Sequence, residues 1–134
     1  MTSDTNSGKK PILIVEDLAA NRELFSLQIR QFGLASQSVR NGREAIELLE
    51  TDPDAFSMIL MDLQMPVMDG LTAAQLIRHA EINTDRHIVI VALTANRAVE
   101  SREQCLQAGM DDFINKPVTL DKLNEMLSKW LKDS

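Results

Sequence analysis

The sequence predicts a doubly wound α/β domain: a parallel sheet of five strands with helices on both faces. Three observations predict it. Ile12–Val15, Met58–Met61 and Ile88–Leu93 are short, unbroken apolar runs, which suit strands covered on both faces better than strands with one wet face. A stretch of helical pattern or helical propensity follows each of them. Strand and helix then alternate to the end of the chain, and this alternation favours parallel pairing with right-handed crossovers.

The elements follow in order. Leu24, Phe25, Leu27, Ile29 and Phe32 make a broad apolar stripe that Gly33 stops. Ala35–Val39 is a more polar strand, as a sheet edge tolerates. Asn41 is placed to cap a second helix carrying Ala45, Leu48 and Leu49, and Asp69 to cap a third carrying Ala73, Ala74, Leu76 and Ile77. Arg97–Ala108 has helical propensity but is poor in apolar positions; Val99, Cys105 and Leu106 are nearly all it has. Asp112–Asn115 is a short fifth strand. Thr119 is placed to cap the last helix, whose stripe is Leu120, Leu123, Leu127, Trp130 and Leu131.

Bulk properties narrow the function classes. A chain of 134 residues reads as one domain, with a polar leader over 1–10 and the folded unit over 11–132. The net charge of −6, from 14 basic and 20 acidic side chains, offers no basic face for nucleic acid or an anionic membrane. One cysteine, Cys105, allows no internal disulfide and no metal-ligand spacing. No apolar run nears the roughly 20 residues of a membrane span, and Met1–Lys10 is too polar for a secretory signal. A reduced, cytoplasmic setting is expected. His79 and His87 read as surface or strand-edge residues rather than a metal pair or pH switch. Met58, Met61, Met65 and Met68 read as packing residues, and the charges on the first and fourth helices as solvated faces.

In open α/β sheets, sites form beyond the carboxyl ends of the strands. Glu16 and Asp17 follow the first strand, Asp62 ends the third, Thr94 the fourth, and Lys116 follows the fifth. Three carboxylates brought together repel one another. A divalent cation relieves that conflict, and a small set of hard oxygen ligands suits Mg2+, which keeps waters and shares phosphate oxygens. A phosphoryl group on one carboxylate supplies such an oxygen, while Lys116 and Thr94 supply a charge and a hydroxyl for the others. Any one of these pieces alone is a solvated loop, a cap or a turn. Their joint placement points to an aspartyl phosphate.

These residues resemble the receiver domains of two-component response regulators and hybrid histidine kinases. The resemblance covers Pro11 to Leu131 and rests on four segments in order. They are Ile12-Leu13-Ile14-Val15-Glu16-Asp17, Met61-Asp62-Leu63-Gln64-Met65-Pro66-Val67-Met68-Asp69-Gly70, Ala92-Leu93-Thr94-Ala95 and Asn115-Lys116-Pro117. It implies a flavodoxin-like sheet of order 2-1-3-4-5. It implies Asp62 as phosphoacceptor, Asp17 as direct metal ligand, Glu16 as the water-mediated acid, and the Gln64 carbonyl as the third protein ligand to Mg2+ or Mn2+. Thr94 and Lys116 match the switch hydroxyl and the phosphate-pairing lysine, and the Lys116-Pro117 bond is expected to be cis. Phe113 matches the switch aromatic; lacking a hydroxyl, it must act through packing. Gln64 and Asn96 match the positions that tune phosphate lifetime.

The implied function is a signalling phosphoacceptor that catalyses only its own phosphorylation and dephosphorylation. The implied donor is a histidine kinase or histidine phosphotransfer domain docking near Leu18, Ala19 and Ala20, with Asn21-Arg22 similar in flavour to phosphorelay receivers. The output partner is unspecified, and no effector is expected beyond Ser134. Phosphate is expected to draw Thr94 and Lys116 inward and to shift the face made by the fourth helix, fifth strand and fifth helix. Rival readings are a phosphate-independent interaction module with the same fold, a flavodoxin-like cofactor binder or small Mg2+ hydrolase, and a dehalogenase-type phosphatase. Glu16-Asp17-Leu18-Ala19-Ala20 lacks the glycines of a phosphate loop, and Gln64 stands where such a phosphatase has a second Asp.

Overall fold

The structure is a computed structural model that describes residues 10–63, 68–95 and 99–131. Five strands are β1 (Ile12–Val15), β2 (Ser36–Val39), β3 (Met58–Asp62), β4 (Val89–Thr94) and β5 (Asp112–Asn115). They form one sheet in the order β2-β1-β3-β4-β5, and every pairing is parallel. The helices are α1 (Ala19–Gln31), α2 (Gly42–Thr51), α3 (Gly70–Glu81), α4 (Val99–Gln107) and α5 (Leu120–Trp130).

The unbroken apolar runs are explained by two cores. Alternate strand residues point to opposite faces. Leu13, Val15, Ile59, Met61, Ile90 and Ala92 face one side, where Ala45 of α2, Ala73, Ala74 and Ile77 of α3 and Cys105 of α4 cover them. Ile12, Ile14, Met58, Leu60, Val91, Leu93 and Ile114 face the other, under Phe25 and Ile29 of α1 and Leu123 and Leu127 of α5. The edge strand β2 is the exception: Gln37 and Ser38 are exposed, which accounts for its weak apolar signal.

The caps behave as expected from their residue types. Asn41, Asp69 and Thr119 accept from the backbone N–H of Glu44, Thr72 and Lys122. The helix stripes are narrower than the sequence suggests. Leu24, Leu27, Leu76, Leu106 and Leu120 are exposed. A helix lying on a sheet buries only one line of side chains, so in α1 the inward residues are Phe25, Gln28 and Ile29. The thiol of Cys105 is buried, and burial pushes its pKa up, so it behaves as a small apolar residue. No helix among the described residues is long and apolar enough to cross a membrane.

An ion network closes the end of the sheet opposite the strands' carboxyl ends. Arg78 donates to the Gly109 carbonyl at 2.7 Å, to Glu81 at 2.7 Å and to Asp111 at 2.8 Å. Glu81 and Asp111 in turn accept from the Ile88 and Ile90 backbone N–H groups, and His87 Nε2 lies 2.7 Å from Asp111. The single guanidinium therefore joins the end of α3, the entry to β4 and the entry to β5. Arg78→Met is expected to leave two largely buried carboxylates without their cation and to cost about 3 kcal/mol, read as a lower urea midpoint with an unchanged slope.

Candidate functional site

Parallel pairing puts every strand's carboxyl end at one edge of the sheet. The register aligns Val15 with Met61, Asp62 with Leu93 and Thr94 with Asn115. Glu16 and Asp62 therefore leave adjacent strands at the same level. Carboxylate oxygens of Glu16, Asp17 and Asp62 lie within 4.8 Å of one another. Glu16 is fully buried, and Asp62 and Thr94 are 3% and 4% exposed. Lys116 completes the cluster: its Nζ is 3.3 Å from Asp62 Oδ1 and 3.8 Å from Glu16 Oε1. Its backbone N–H donates to the Thr94 carbonyl at 2.8 Å, and the bond to Pro117 is cis.

The acid pair is held by the start of α1. Asn21 Nδ2 and the Leu18 N–H donate to Glu16 Oε2 at 3.2 and 3.3 Å. Arg22 Nη1 donates to the carbonyls of Glu16 and Asp17 at 2.9 and 3.0 Å. Reading the α1 charges as a merely solvated face is thus corrected for Arg22: one helical turn carries its side chain back over the loop. The signal available in sequence was phase alone, a long donor five residues after Asp17.

Burial, and then the neighbouring Asp62 carboxylate, raise the Glu16 pKa, with Asn21, the Leu18 N–H and Lys116 acting against them. Glu16 Oε1 is buried and accepts no hydrogen bond. A buried carboxylate oxygen without a donor, beside two more carboxylates, is a donor set suited to a hard divalent cation. The residues present therefore fit Mg2+. Two of the expected site positions, Gln64 and Asn96, lie outside the described residues, as does Met65.

Two neighbours frame the site. Gly70, the first residue of α3, packs so tightly that a Cβ there would overlap the Asp62 carbonyl oxygen and meet Leu63 Cα at 3.0 Å. Phe113 lies on β5 beside Ala92 of β4 and is half-buried. The Arg102 guanidinium of α4 sits 5.9 Å from its ring centroid, within cation–π range. His79 and His87 are exposed, and the metal-capable group among the described residues is the acid triad alone.

Comparison with known proteins decides the family. The response regulator receiver domain model matches residues 12–128. The chain belongs to this family. Among curated relatives, this receiver is 37% identical over 131 residues to the hybrid signal transduction protein dokA of Dictyostelium discoideum, covering 98% of this chain and 8% of that protein. The chain thus spans a small part of the length of such relatives. Among solved structures, it resembles the receiver domain of the sensor histidine kinase PA1611 from Pseudomonas aeruginosa, which holds a magnesium ion in its active site cleft. That match has a TM-score of 0.80 and 35% identity, and covers 93% of this chain and 99% of that one. It also resembles the Saccharomyces cerevisiae Ssk1 receiver domain, solved with the histidine phosphotransfer protein Ypd1. Here the TM-score is 0.83 and the identity 31%, with 91% and 88% of the two chains covered.

Proposed function

We propose that Asp62 of this receiver accepts a phosphoryl group from a phosphohistidine on a partner protein, in a Mg2+-dependent reaction. One observation carries the reading: Asp62 is almost fully buried at a strand end, with carboxylate oxygens of Glu16 and Asp17 within 4.8 Å and the Lys116 Nζ 3.3 Å away. The Asp62 carboxylate is the nucleophile. Its oxygen bonds to phosphorus as the P–N bond to the donor imidazole breaks, and the electron pair leaves with the imidazole. Lys116 pairs with the negative charge on the transferring group, and the Thr94 hydroxyl donates to one of its oxygens. Glu16, Asp17 and Asp62 would hold the cation, with the Gln64 carbonyl as a further ligand. Bound there, Mg2+ supplies positive charge that offsets the carboxylates and the arriving phosphate.

The chain acts in this scheme as a signalling phosphoacceptor that turns over only its own phosphate, within a receiver unit over 11–132 in the cytoplasm. Its donor is a histidine kinase or histidine phosphotransfer domain; the Ssk1 receiver's complex with Ypd1 supports this class of partner. The exposed Leu18, beside the acid pair, offers an apolar contact for it. Output runs through Thr94 and Phe113 to the α4–β5–α5 face. Cys105 is the buried residue among α4 positions 102–107, and a segment anchored that lightly moves at low cost. Gln64 and Asn96 set the phosphate lifetime.

Acetyl phosphate tests the reading. With Mg2+ the wild-type chain is expected to gain the mass of one phosphate, and with EDTA none. No gain under either condition overturns it and leaves the phosphate-independent module.

A further inference from the structure

The site lysine stands on the loop between β5 and α5, and side chains from two helices grip that loop. α1 buries one polar residue in its apolar line: Gln28, 8% exposed. Its Nε2 donates to the Val118 carbonyl at 3.0 Å, two residues beyond Lys116, while its Oε1 accepts no hydrogen bond. From α5, Lys122 Nζ donates to the carbonyls of Asn115 and Pro117 at 3.0 and 3.2 Å. The backbone is thus held immediately before and after Lys116.

A buried amide with one bare oxygen costs the fold something. Gln28 sits beside Phe25 and Ile29, in a line where an apolar side chain would pack without that cost. Its contribution is the hydrogen bond to the loop. We propose that Gln28 is a positioning residue for phosphoryl transfer: through Val118 it holds the Lys116 loop so that the ammonium reaches Asp62. Lys122 is the second anchor. α1 then serves both halves of the site, since Asn21 and Arg22 at its start hold the acid pair and Gln28, two turns on, holds the lysine loop. This rests on Asp62 being the phosphoacceptor.

The test uses Gln28→Met, which keeps length and packing and removes the donor, and Lys122→Met. Three quantities are read on the full chain: the maximal rate of phosphorylation by acetyl phosphate, the Mg2+ affinity from backbone amide shifts at Asp17 and Asp62, and the 13C-edited signal of the Lys116 ε-methylene. The expected result for Gln28→Met is a rate lower by roughly tenfold, because misplacing a charge-stabilising group slows the chemistry. Mg2+ affinity and melting temperature stay at wild-type values, and the Lys116 signal moves. A wild-type rate with an unmoved signal overturns the proposal, as does a rate that falls only together with melting temperature and Mg2+ affinity. If the wild-type chain takes no phosphate, the phosphoacceptor reading fails first; the Lys116 signal then reports on the loop contact alone.

Discussion

Asp62→Asn is expected to take up no phosphate and, without divalent metal, to melt higher than the wild-type chain. The two effects have one origin. Asp62 is the nucleophile in the proposed transfer, and an amide oxygen does not replace a carboxylate in that role. In the metal-free fold the same carboxylate is a burden. It lies beside Glu16, which is fully buried and whose pKa is raised by burial first and by Asp62 second. Removing the Asp62 charge relieves that repulsion while keeping the shape. The expected gain is roughly 3–5 °C in EDTA, the shift that about 1 kcal/mol gives in a domain of this size. Adding Mg2+ should raise the wild-type melting temperature more than the variant's, since the variant offers the cation one carboxylate fewer. Differential scanning calorimetry with EDTA and with Mg2+ reads both. A variant that is inactive because it is misfolded would melt lower in both conditions.

Gly70→Ala is expected to cause the largest loss of stability from a single methyl group. A Cβ at Gly70 would overlap the Asp62 carbonyl oxygen and press on Leu63 Cα and Met61 Cγ, each 3.0 Å away. Two of those three contacts are backbone, which yields less readily than a side-chain tip. Overpacking of this kind costs about 2–3 kcal/mol. The strain falls on Asp62, the proposed nucleophile, so phosphorylation per folded molecule should also slow, by about tenfold or more. Gly33→Ala is the comparison. Gly33 has φ +77° and nothing within 4 Å of an added Cβ, so only the backbone preference opposes the change, about 1 kcal/mol, with no effect on phosphate uptake. Urea unfolding followed by circular dichroism ranks the two.

The parts of the fold that were legible in the sequence were those fixed by local pattern. β1, β3 and β4 announce themselves because each lies inside the sheet and every residue from Ile12 to Val15 or Met58 to Asp62 is buried. Asn41, Asp69 and Thr119 announce their helices because capping is a contact three residues long. The clustering of the strand-end residues was legible for a different reason. In a parallel sheet the chain order alone says that Asp17, Asp62, Thr94 and Lys116 share an edge.

The parts that were not legible depend on distant partners. The stripe over α1 included Leu24 and Leu27, which are exposed, and passed over Gln28, which is buried. Periodicity locates an apolar face only to within a residue or two, and a glutamine enters such a face only when something accepts from it. Here the acceptor is 90 residues away. Arg78 reaches Asp111 across 33 residues, and no spacing rule joins them. Arg22 is the intermediate case: its partners, the Glu16 and Asp17 carbonyls, are close in sequence, but backbone acceptors leave no trace in side-chain pattern.

The position of the phosphate on the chain decides whether Asp62 is the acceptor. The wild-type chain is treated with acetyl phosphate and Mg2+, the acyl phosphate is trapped by borohydride reduction, and tandem mass spectrometry locates the reduced residue. Modification is expected at Asp62 alone, absent in Asp62→Asn and absent in EDTA. Phosphate on Asp17, on a histidine, or at equal yield in Asp62→Asn would contradict it.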